Sequence, residues 1–257
     1  MTTSSPYAGT QSVLRAVALL KAFSDARPEL SLSDLARQVG LNKTTAYRML
    51  TALESEGMVL RHPQTGNYRL GPGTIELGGR ALRASDIRTS ARAELAELAL
   101  QSGETPTLEI LAGDQVLVLD EILSAHRLNG AQTVGTLWPV HATSTGKALA
   151  AFLPDKELMA ILTGTLARFT DRTITEPKAL AAEFAEIRKR GYSIAVEEVE
   201  TGYAAVAAPV LDVDGLPVAA ISVGGPVGRM DAVRIEQIAV MVYDATAWLS
   251  KSLGYRP

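Results

Sequence analysis

The chain has 257 residues, no cysteine, 47% hydrophobic residues and 21% charged residues. This length exceeds one average domain, and the composition excludes a largely disordered protein, disulfide bonds, thiolate metal sites and cysteine nucleophiles. The net charge of −3 is uneven, because residues 1–75 carry eight Lys or Arg against five Asp or Glu, which gives +3 and leaves −6 for the remainder. A basic N-terminal part on an acidic remainder is typical of a protein that binds DNA through that part only.

The N-terminal residues are not predicted to form a signal peptide. Residues 1–10 are polar and lack the basic start and apolar stretch of a signal peptide, and no apolar run in the chain reaches membrane-spanning length. We therefore expect a cytoplasmic protein that does not contact a membrane. From residue 12 to residue 23, apolar residues recur at helical spacing, which predicts an amphipathic helix.

Two further helices with a tight turn between them are predicted next. A serine of the segment Ser31–Leu35 can cap a short helix over residues 34–39, and Asn42 can cap a longer helix over residues 43–56; each ends at a glycine. Two helices joined by a glycine-containing turn of about three or four residues have the outline of a helix-turn-helix.

Extended and helical segments follow this pair of helices. Short extended runs at residues 58–60 and 67–70, separated by a turn-rich stretch, predict a hairpin, which is the order of a winged helix-turn-helix. Residues 72–85 are predicted as a linker helix, in which the pair Gly78-Gly79 is a candidate site for a bend. A further helix is predicted over residues 86–100.

Beyond residue 104 the pattern changes to short strands bracketed by helices. This alternation predicts an α+β domain, with an antiparallel sheet flanked by helices in a GAF-like arrangement. Strands are predicted at residues 107–111, 115–122, 192–196, 204–211 and 218–223, and helices at 145–152, after 155, at 177–189 and at 229–253. Residues 124–139, which include Trp138, are predicted as a loop.

Three segments resemble one family at its usual spacing. They are residues 32–54 with 66–71, residues 139–149 around His141-Ala142-Thr143-Ser144-Thr145-Gly146-Lys147, and residues 190–226, which include Ala207-Ala208-Pro209-Val210. Over about residues 11–253 the chain resembles the IclR-type transcription regulators. The resemblance implies a winged-helix domain over 1–71, a linker helix over 72–85 that helps dimerisation, and an effector-binding and oligomerisation domain over 86–257. It also implies a homodimer or a dimer of dimers on double-stranded operator DNA, a response to a small organic acid, and either repression or activation.

The DNA-binding residues are predicted from the helix-turn-helix. Its second helix enters the major groove, where side chains near the helix start meet base edges. Hydroxyl and cationic side chains there can donate to bases or phosphates, and residues of the wing can contact phosphates or the minor groove. The alternative is that these side chains are merely a solvated polar surface. The candidates are Ser33, Lys43, Thr44, Thr45, Tyr47, Arg48, Arg61, His62 and Arg69.

The effector-binding residues are predicted in the second and third family segments. The hydroxyls of Thr143, Ser144 and Thr145 lie near a predicted helix start, which suits a carboxylate, and Trp138 can form an apolar wall. The alternative is that the hydroxyls only cap the helix. Lys147 is interpreted as a packing or ion-pair residue. The resemblance adds Glu198, Tyr203, Ala205 and Ser222 to the candidates.

The third segment departs from the family pattern at three places. Ala195-Val196 stands where many members have an acidic or polar residue, Ala205 where many have cysteine, and Gly224 where many have a second serine. These differences predict fewer polar anchors, more room, and a larger or more apolar ligand such as an aromatic acid.

Two other functions were weighed. An enzyme is disfavoured because Thr145-Gly146-Lys147 lacks the rest of a phosphate-binding loop, because His62, His126 and His141 lack metal-ligand spacing, and because no Gly-x-Ser-x-Gly motif occurs. We therefore expect no catalytic residue, metal or cofactor. The second alternative is a C-terminal domain that only oligomerises, and a cavity beside residues 143–145 and Ser222 would argue against it.

Overall fold

The computed structural model describes residues 10–124 and 134–256, so that His126 lies outside the described residues. The chain divides into two compact units between Ala84 and Ser85, and each is described by itself. Within the described ranges, no helix combines the length and the apolar character needed to cross a bilayer.

The N-terminal unit is a helix-turn-helix followed by a wing, as the sequence predicts. Its helices are α1 (Gln11–Leu20), α2 (Leu32–Val39), α3 (Lys43–Ser55) and α4 (Pro72–Arg83), and its strands are β1 (Glu29–Leu30), β2 (Val59–Arg61) and β3 (Tyr68–Leu70). The strands form an antiparallel sheet in the order β1-β3-β2. Its core consists of Leu19, Ala22, Leu30, Leu35, Leu50, Val59 and Tyr68.

The predicted caps position the two helices of the motif. The Oγ of Ser31 accepts a hydrogen bond from the N–H of Asp34 at 3.2 Å, and the Oδ1 of Asn42 accepts one from Thr45 at 2.8 Å. Helix α2 begins at Leu32, two residues earlier than predicted, because Ser31 is the cap and Asp34 is the third helical residue. Gly40 ends α2 in the left-handed conformation, with φ +68.

This unit contains one strand that the sequence did not predict and, as predicted, a helix after the wing. Strand β1 was not predicted, because two residues are too few to show an alternating pattern; Leu30 pairs with Tyr68 of β3. Helix α4 runs from Pro72 to Arg83 as one helix across Gly78-Gly79, and none of its residues is buried.

The C-terminal unit is built on a six-stranded antiparallel sheet in the order β6-β5-β4-β9-β8-β7. Its strands are β4 (Thr105–Ala112), β5 (Gln115–Glu121), β6 (Leu137–Pro139), β7 (Ser193–Val196), β8 (Tyr203–Leu211) and β9 (Pro217–Pro226). Its helices are α5 (Asp86–Ser102), α6 (Ser144–Ala150), α7 (Asp155–Leu162), α8 (Pro177–Arg190) and α9 (Ala232–Ser252).

Strands β8 and β9 are covered on both faces. Successive residues of a strand face opposite sides, and the neighbours Ala207 and Ala208 are both fully buried. Ala207 belongs to a core cluster with α6 and α8, which contributes Phe184. This core holds the buried helix α6 against the centre of the sheet.

The boundaries of three elements differ from the prediction. Trp138, predicted in a loop, lies in the edge strand β6 opposite Val116. Strand β9 continues to Pro226, which pairs with Tyr203. The last helix begins at Ala232 instead of residue 229, because Asp231 caps it, accepting a hydrogen bond from Arg234 N–H at 2.8 Å.

Candidate DNA-binding surface and effector cavity

Helix α3 has one buried face and one face that carries the predicted base-contacting residues. Ala46 and Leu50 are fully buried in the N-terminal unit. Lys43, Thr44, Tyr47 and Arg48 are exposed, and Thr45 is half-buried. Within the described residues, the side chains of Lys43 and Arg48 have no hydrogen-bond or ion-pair partner in the protein, and both cations are therefore available to nucleic acid. Ser33 is also exposed, in the first turn of α2.

The wing residues differ in what they do within the protein. The Nδ1 of His62 accepts hydrogen bonds from the N–H groups of Gln64 and Thr65, both at 3.3 Å, so this side chain shapes the turn of the wing. The guanidinium of Arg61 lies 5.8 Å from the ring centre of Tyr68. Arg69 is exposed on β3, and no partner for its side chain occurs in the described parts of the chain.

The effector candidates surround a single cavity in the C-terminal unit, here called the effector cavity. Its volume is about 510 Å³, and strands β4, β5, β8 and β9 and the start of α6 contribute to its wall. All eight residues named from the sequence line it: Trp138, Thr143, Ser144, Thr145, Glu198, Tyr203, Ala205 and Ser222.

The three hydroxyls at the start of α6 have different environments. Thr143 caps α6, since its Oγ1 accepts the N–H of Gly146 at 3.1 Å, as the capping alternative predicts. Thr145 donates to the Oε2 of Glu109 at 2.6 Å. Ser144 is 3% exposed, and its hydroxyl has no hydrogen-bond partner among the described residues although it lines the cavity.

A buried hydrogen-bonded chain crosses the cavity wall from β9 to α6. The hydroxyls of Ser222 and Thr107, which are paired residues of β9 and β4, lie 2.7 Å apart. Thr107 also donates to the Oε1 of Glu109 at 2.9 Å, and Thr145 donates to the other oxygen. Burial raises the pKa of Glu109, although both hydroxyl hydrogen bonds oppose the shift.

Lys147 forms an ion pair behind the cavity and does not line it, in agreement with its sequence interpretation. Its side chain is 1% exposed, and its Nζ lies 2.6 Å from the Oε1 of Glu198 and donates to the carbonyl of Ile194 at 2.7 Å. Burial raises the pKa of Glu198, and the neighbouring Lys147 charge opposes that rise. Glu198 therefore has one oxygen committed to this lysine.

Two glycines of β9 allow bulky groups to approach the cavity. A Cβ on Gly224 would lie 2.2 Å from the Oη of Tyr203, and a Cβ on Gly225 would lie 2.5 Å from the Oε2 of Glu104. Glu104 forms a two-point ion pair with Arg229, at 2.5 and 2.7 Å. Because Gly224 has no side chain, the side chain of Tyr203 can occupy the space beside it.

Comparison with known proteins identifies the family of both units. The IclR helix-turn-helix domain matches residues 12–63, and the C-terminal domain of bacterial IclR transcriptional regulators matches residues 79–251. The chain belongs to the IclR family of transcriptional regulators. It is therefore a DNA-binding regulator and not an enzyme, because its curated relatives regulate transcription.

Relatives and solved structures of the IclR family align along nearly the whole chain. The transcriptional regulator XynR of Escherichia coli is 34% identical over 246 residues, which are 95% of this chain and 98% of XynR. A glycerol operon regulatory protein of Streptomyces griseus is 35% identical over 95% of this chain and 96% of its own length.

Two structures illustrate the similarity in fold. An IclR regulator from Silicibacter has a TM-score of 0.84 and 30% identity, covering 95% of this chain and 97% of its own. An IclR homologue from Microbacterium hydrocarbonoxydans, solved in complex with 4-hydroxybenzoate, has a TM-score of 0.78 and 27% identity, covering 94% of this chain and 98% of its own.

The polar residues of the cavity in this IclR-family chain were underestimated from the sequence. The expectation of fewer polar anchors and more room than in other family members stays a prediction, but the cavity has further polar residues, since Glu104, Thr107, Glu109 and Arg229 also line it. At Gly224 itself no room is gained, because Tyr203 occupies that space. The alternation of polar residues at 105, 107 and 109 on one face of β4 is the signal that could have found part of this set.

We expect the buried carboxyl of Glu109 to make this IclR-family protein less stable as the pH rises. At a pH between the pKa of Glu109 in the unfolded chain and its raised pKa in the folded protein, the folded state holds the proton and the unfolded state does not. The stabilisation is therefore complete below this pH range and is lost as the pH rises through it. The loss is at most about 1.4 kcal/mol per pH unit. In urea denaturation from pH 5 to 8, wild type should lose stability relative to Glu109→Gln; a constant difference would contradict this.

Proposed function

We propose that this chain is a cytoplasmic, ligand-responsive regulator whose affinity for operator DNA changes when a small molecule binds in the effector cavity. The observation that carries the proposal is the cavity itself. Its volume of about 510 Å³ lies within the range of small-molecule sites, and every effector residue inferred from the sequence lines it. A C-terminal domain that served only for oligomerisation would have no need of a cavity lined with hydroxyl and carboxyl groups.

The complex of a homologue with 4-hydroxybenzoate supports a small molecule as the effector class. An organic acid is the class that the sequence resemblance implies. Aliphatic and aromatic acids therefore form the panel of compounds to be tested.

On the DNA side, α3 is proposed to enter the major groove with Thr44, Thr45 and Arg48 toward the bases. Lys43, Tyr47 and Ser33 would assist from the same unit, and Arg61, His62 and Arg69 of the wing would contact the backbone or minor groove. The exposure of these side chains supports the assignment, except that Thr45 and His62 are half-buried and that His62 also shapes its own turn.

Replacing Arg48 with Ala is expected to weaken operator binding by about 1 to 3 kcal/mol, because a guanidinium that binds a base edge contributes that much. Fluorescence anisotropy on the operator measures the change. Arg256→Ala, which removes the same charge from an exposed site in the C-terminal unit, serves as the control. Equal affinity of Arg48→Ala and wild type would remove Arg48 from the DNA-binding surface.

A homodimer or a dimer of dimers is proposed as the DNA-binding species. Exposed apolar side chains on α1 and α4 support it, since Val13 is 62% exposed, Ile75 78% and Leu77 52%. A second copy of the chain is the expected partner, because most soluble oligomers are symmetric assemblies of identical chains.

Introducing a charge at Ile75 should therefore weaken self-association. We expect Ile75→Glu to raise the dimer dissociation constant by about tenfold or more, the effect of losing a central apolar contact. Analytical ultracentrifugation without DNA measures it, and Gln64→Glu in the exposed turn of the wing is the matched charge control. An unchanged constant for Ile75→Glu would place the interface elsewhere.

The proposal is tested by gel-shift binding to the DNA upstream of the chain's own gene, with and without each compound of the panel. A specific shift that one compound strengthens or abolishes is the expected result. A specific shift that is indifferent to every compound, including those that bind the protein, would leave DNA binding intact and remove the ligand response.

A further inference from the structure

Glu109 is a buried carboxyl in the wall of the effector cavity, and its hydrogen-bond partners are hydroxyl groups. The residue lies on β4 and is 6% exposed. The Oγ1 of Thr107, on the same strand, lies 2.9 Å from its Oε1, and the Oγ1 of Thr145, on α6, lies 2.6 Å from its Oε2. The Oγ of Ser222 on β9 lies 2.7 Å from the Oγ1 of Thr107. Four side chains from three elements therefore form one hydrogen-bonded chain along the wall.

No charged side chain bonds to Glu109 in the described part of the chain. Its paired residues on the neighbouring strands are Val118 of β5 and Ala220 of β9, both apolar. The other charged residues that line the cavity form no hydrogen bond or ion pair with it among the described residues: Glu104, Glu121, Glu198, Glu200 and Arg229. Burial without a counter-ion favours the neutral carboxyl, and it raises the pKa of Glu109. The proton on Glu109 therefore depends on the hydrogen-bonded chain and on the molecule that occupies the cavity.

The hydrogen bonds that this chain can offer to a ligand depend on whether Glu109 is ionised. A hydroxyl has one proton to donate, and an ionised carboxylate only accepts. When Glu109 is ionised, Thr107 and Thr145 both donate to it. The contact between Thr107 and Ser222 then requires Ser222 as the donor. All three hydroxyl protons are used within the wall, so Ser222 and Thr145 offer a ligand only lone pairs.

One proton on Glu109 reverses this arrangement. When the proton is on Oε1, the carboxyl donates to Thr107, Thr107 donates to Ser222, and the proton of Ser222 becomes available to a ligand. When the proton is on Oε2, the carboxyl donates to Thr145, whose own proton becomes available instead. Both hydroxyls belong to residues that line the cavity. In either case the wall gains one hydrogen-bond donor and loses one negative charge, and both changes favour a bound carboxylate.

We propose that Glu109 is a positioning residue of the effector cavity, and that an acid effector binds as its carboxylate to the form of the protein in which Glu109 carries a proton. Through the hydrogen-bonded chain, that proton makes Ser222 or Thr145 a donor toward the ligand. Loss of the proton to solvent turns both hydroxyls into acceptors and leaves a buried negative charge beside the ligand. The inference rests on the proposed function, because it concerns how that same cavity recognises its ligand.

The test compares each acid of the panel with its neutral amide, such as 4-hydroxybenzoate with 4-hydroxybenzamide, as the pH changes. Isothermal titration calorimetry on the full chain from pH 6 to pH 9 measures the dissociation constants. In wild type we expect the constant of a bound acid to rise with pH, by at most about tenfold per pH unit, the limit for one linked proton. The constant of the amide should change less, because its NH₂ group donates to hydroxyls that accept. A ratio of the two constants that is independent of pH would overturn the inference.

Glu109→Gln is the matched variant, because its side-chain amide does not ionise. The amide donates to one threonine and accepts from the other, as the protonated carboxyl does. We therefore expect this variant to bind the acid at pH 6 nearly as tightly as wild type and to keep that affinity up to pH 9. Glu236→Gln, exposed on α9, is the control and should follow the wild-type profile. If the affinity of Glu109→Gln fell with pH as wild type does, another group would carry the proton and the inference would fail.

Proton uptake is a second measurement, and it needs no variant. Titrations of wild type in two buffers of different ionisation enthalpy give the number of protons that are taken up for each acid bound. This number should rise with pH toward one as Glu109 becomes ionised in the free protein. Absence of proton uptake at every pH from 6 to 9 would overturn the inference.

The outcomes separate this inference from the proposed function. If an acid binds and alters the gel shift while its affinity is independent of pH, the regulator remains ligand-responsive and the inference fails. If no acid of the panel binds at all, the inference and the proposed response to an organic acid both fail.

Discussion

Lys147→Met should destabilise the C-terminal unit by about 3 to 5 kcal/mol, because it leaves a buried carboxylate without its partner. Lys147 and Glu198 are 1% and 8% exposed, and their charged atoms lie 2.6 Å apart. The lysine also satisfies the carbonyl of Ile194. Urea denaturation followed by circular dichroism measures the loss as a lower midpoint of the unfolding transition.

The double variant Lys147→Met/Glu198→Gln distinguishes the destabilisation caused by an unpaired charge from that caused by altered packing. Removing the carboxylate should restore much of the lost stability, since the penalty comes from the uncompensated charge. Lys189→Met is the control, because its ion pair with Glu186 lies on the surface and contributes at most about 1 kcal/mol. A loss of similar size in Lys147→Met and Lys189→Met would show that the buried pair has no special role.

The second large effect is expected at the neighbouring Gly146. A Cβ on this residue would lie 2.2 Å from the carbonyl oxygen and 2.5 Å from the Cα of Val140. Both are backbone atoms, so neither can swing aside as the end of a side chain can. Gly146→Ala is therefore expected to cost about 3 kcal/mol, at the upper end of the usual range for overpacking.

Thermal unfolding measures the effect at Gly146, with Gly228→Ala as the control. A Cβ on Gly228 meets no atom within 4 Å, so that substitution should leave the midpoint nearly unchanged. If the two alanine variants melted at the same temperature, the close approach of α6 to Val140 would not limit the size of residue 146.

Much of the fold follows from local sequence signals. Asn42 and a serine of the segment Ser31–Leu35 were recognised as helix caps, because short polar side chains just before a helical apolar pattern are typical N-caps; the structure assigns the second cap to Ser31. The strands of the C-terminal unit other than β6 followed from alternation and glycine-containing turns. Strand β1 did not, because its two residues pair only through the tertiary arrangement of the wing.

The effector cavity was predictable in part. The resemblance supplied eight residues that line it, among them Glu198, but the other four glutamates of the wall escaped notice, because strand pairing and the packing of α6 bring distant residues together there. Glu109 meets Thr145 across 36 positions of sequence, and Thr107 meets Ser222 across 115. The space at Gly224 was misjudged for the same reason, since Tyr203 reaches it from the adjacent strand. Cavities depend on such long-range pairs, which local patterns do not reveal.

The most direct test of ligand control measures operator affinity in wild type, Ala205→Phe and Ala160→Phe. Each protein is assayed with and without the panel compound that changes wild-type binding most. Ala205 lines the effector cavity, so the phenyl ring should fill it, whereas Ala160 is exposed on α7. We expect Ala205→Phe to bind the operator but no longer to respond to the compound, while Ala160→Phe responds like wild type. A full response in Ala205→Phe would show that the compound acts at another site and would contradict the account.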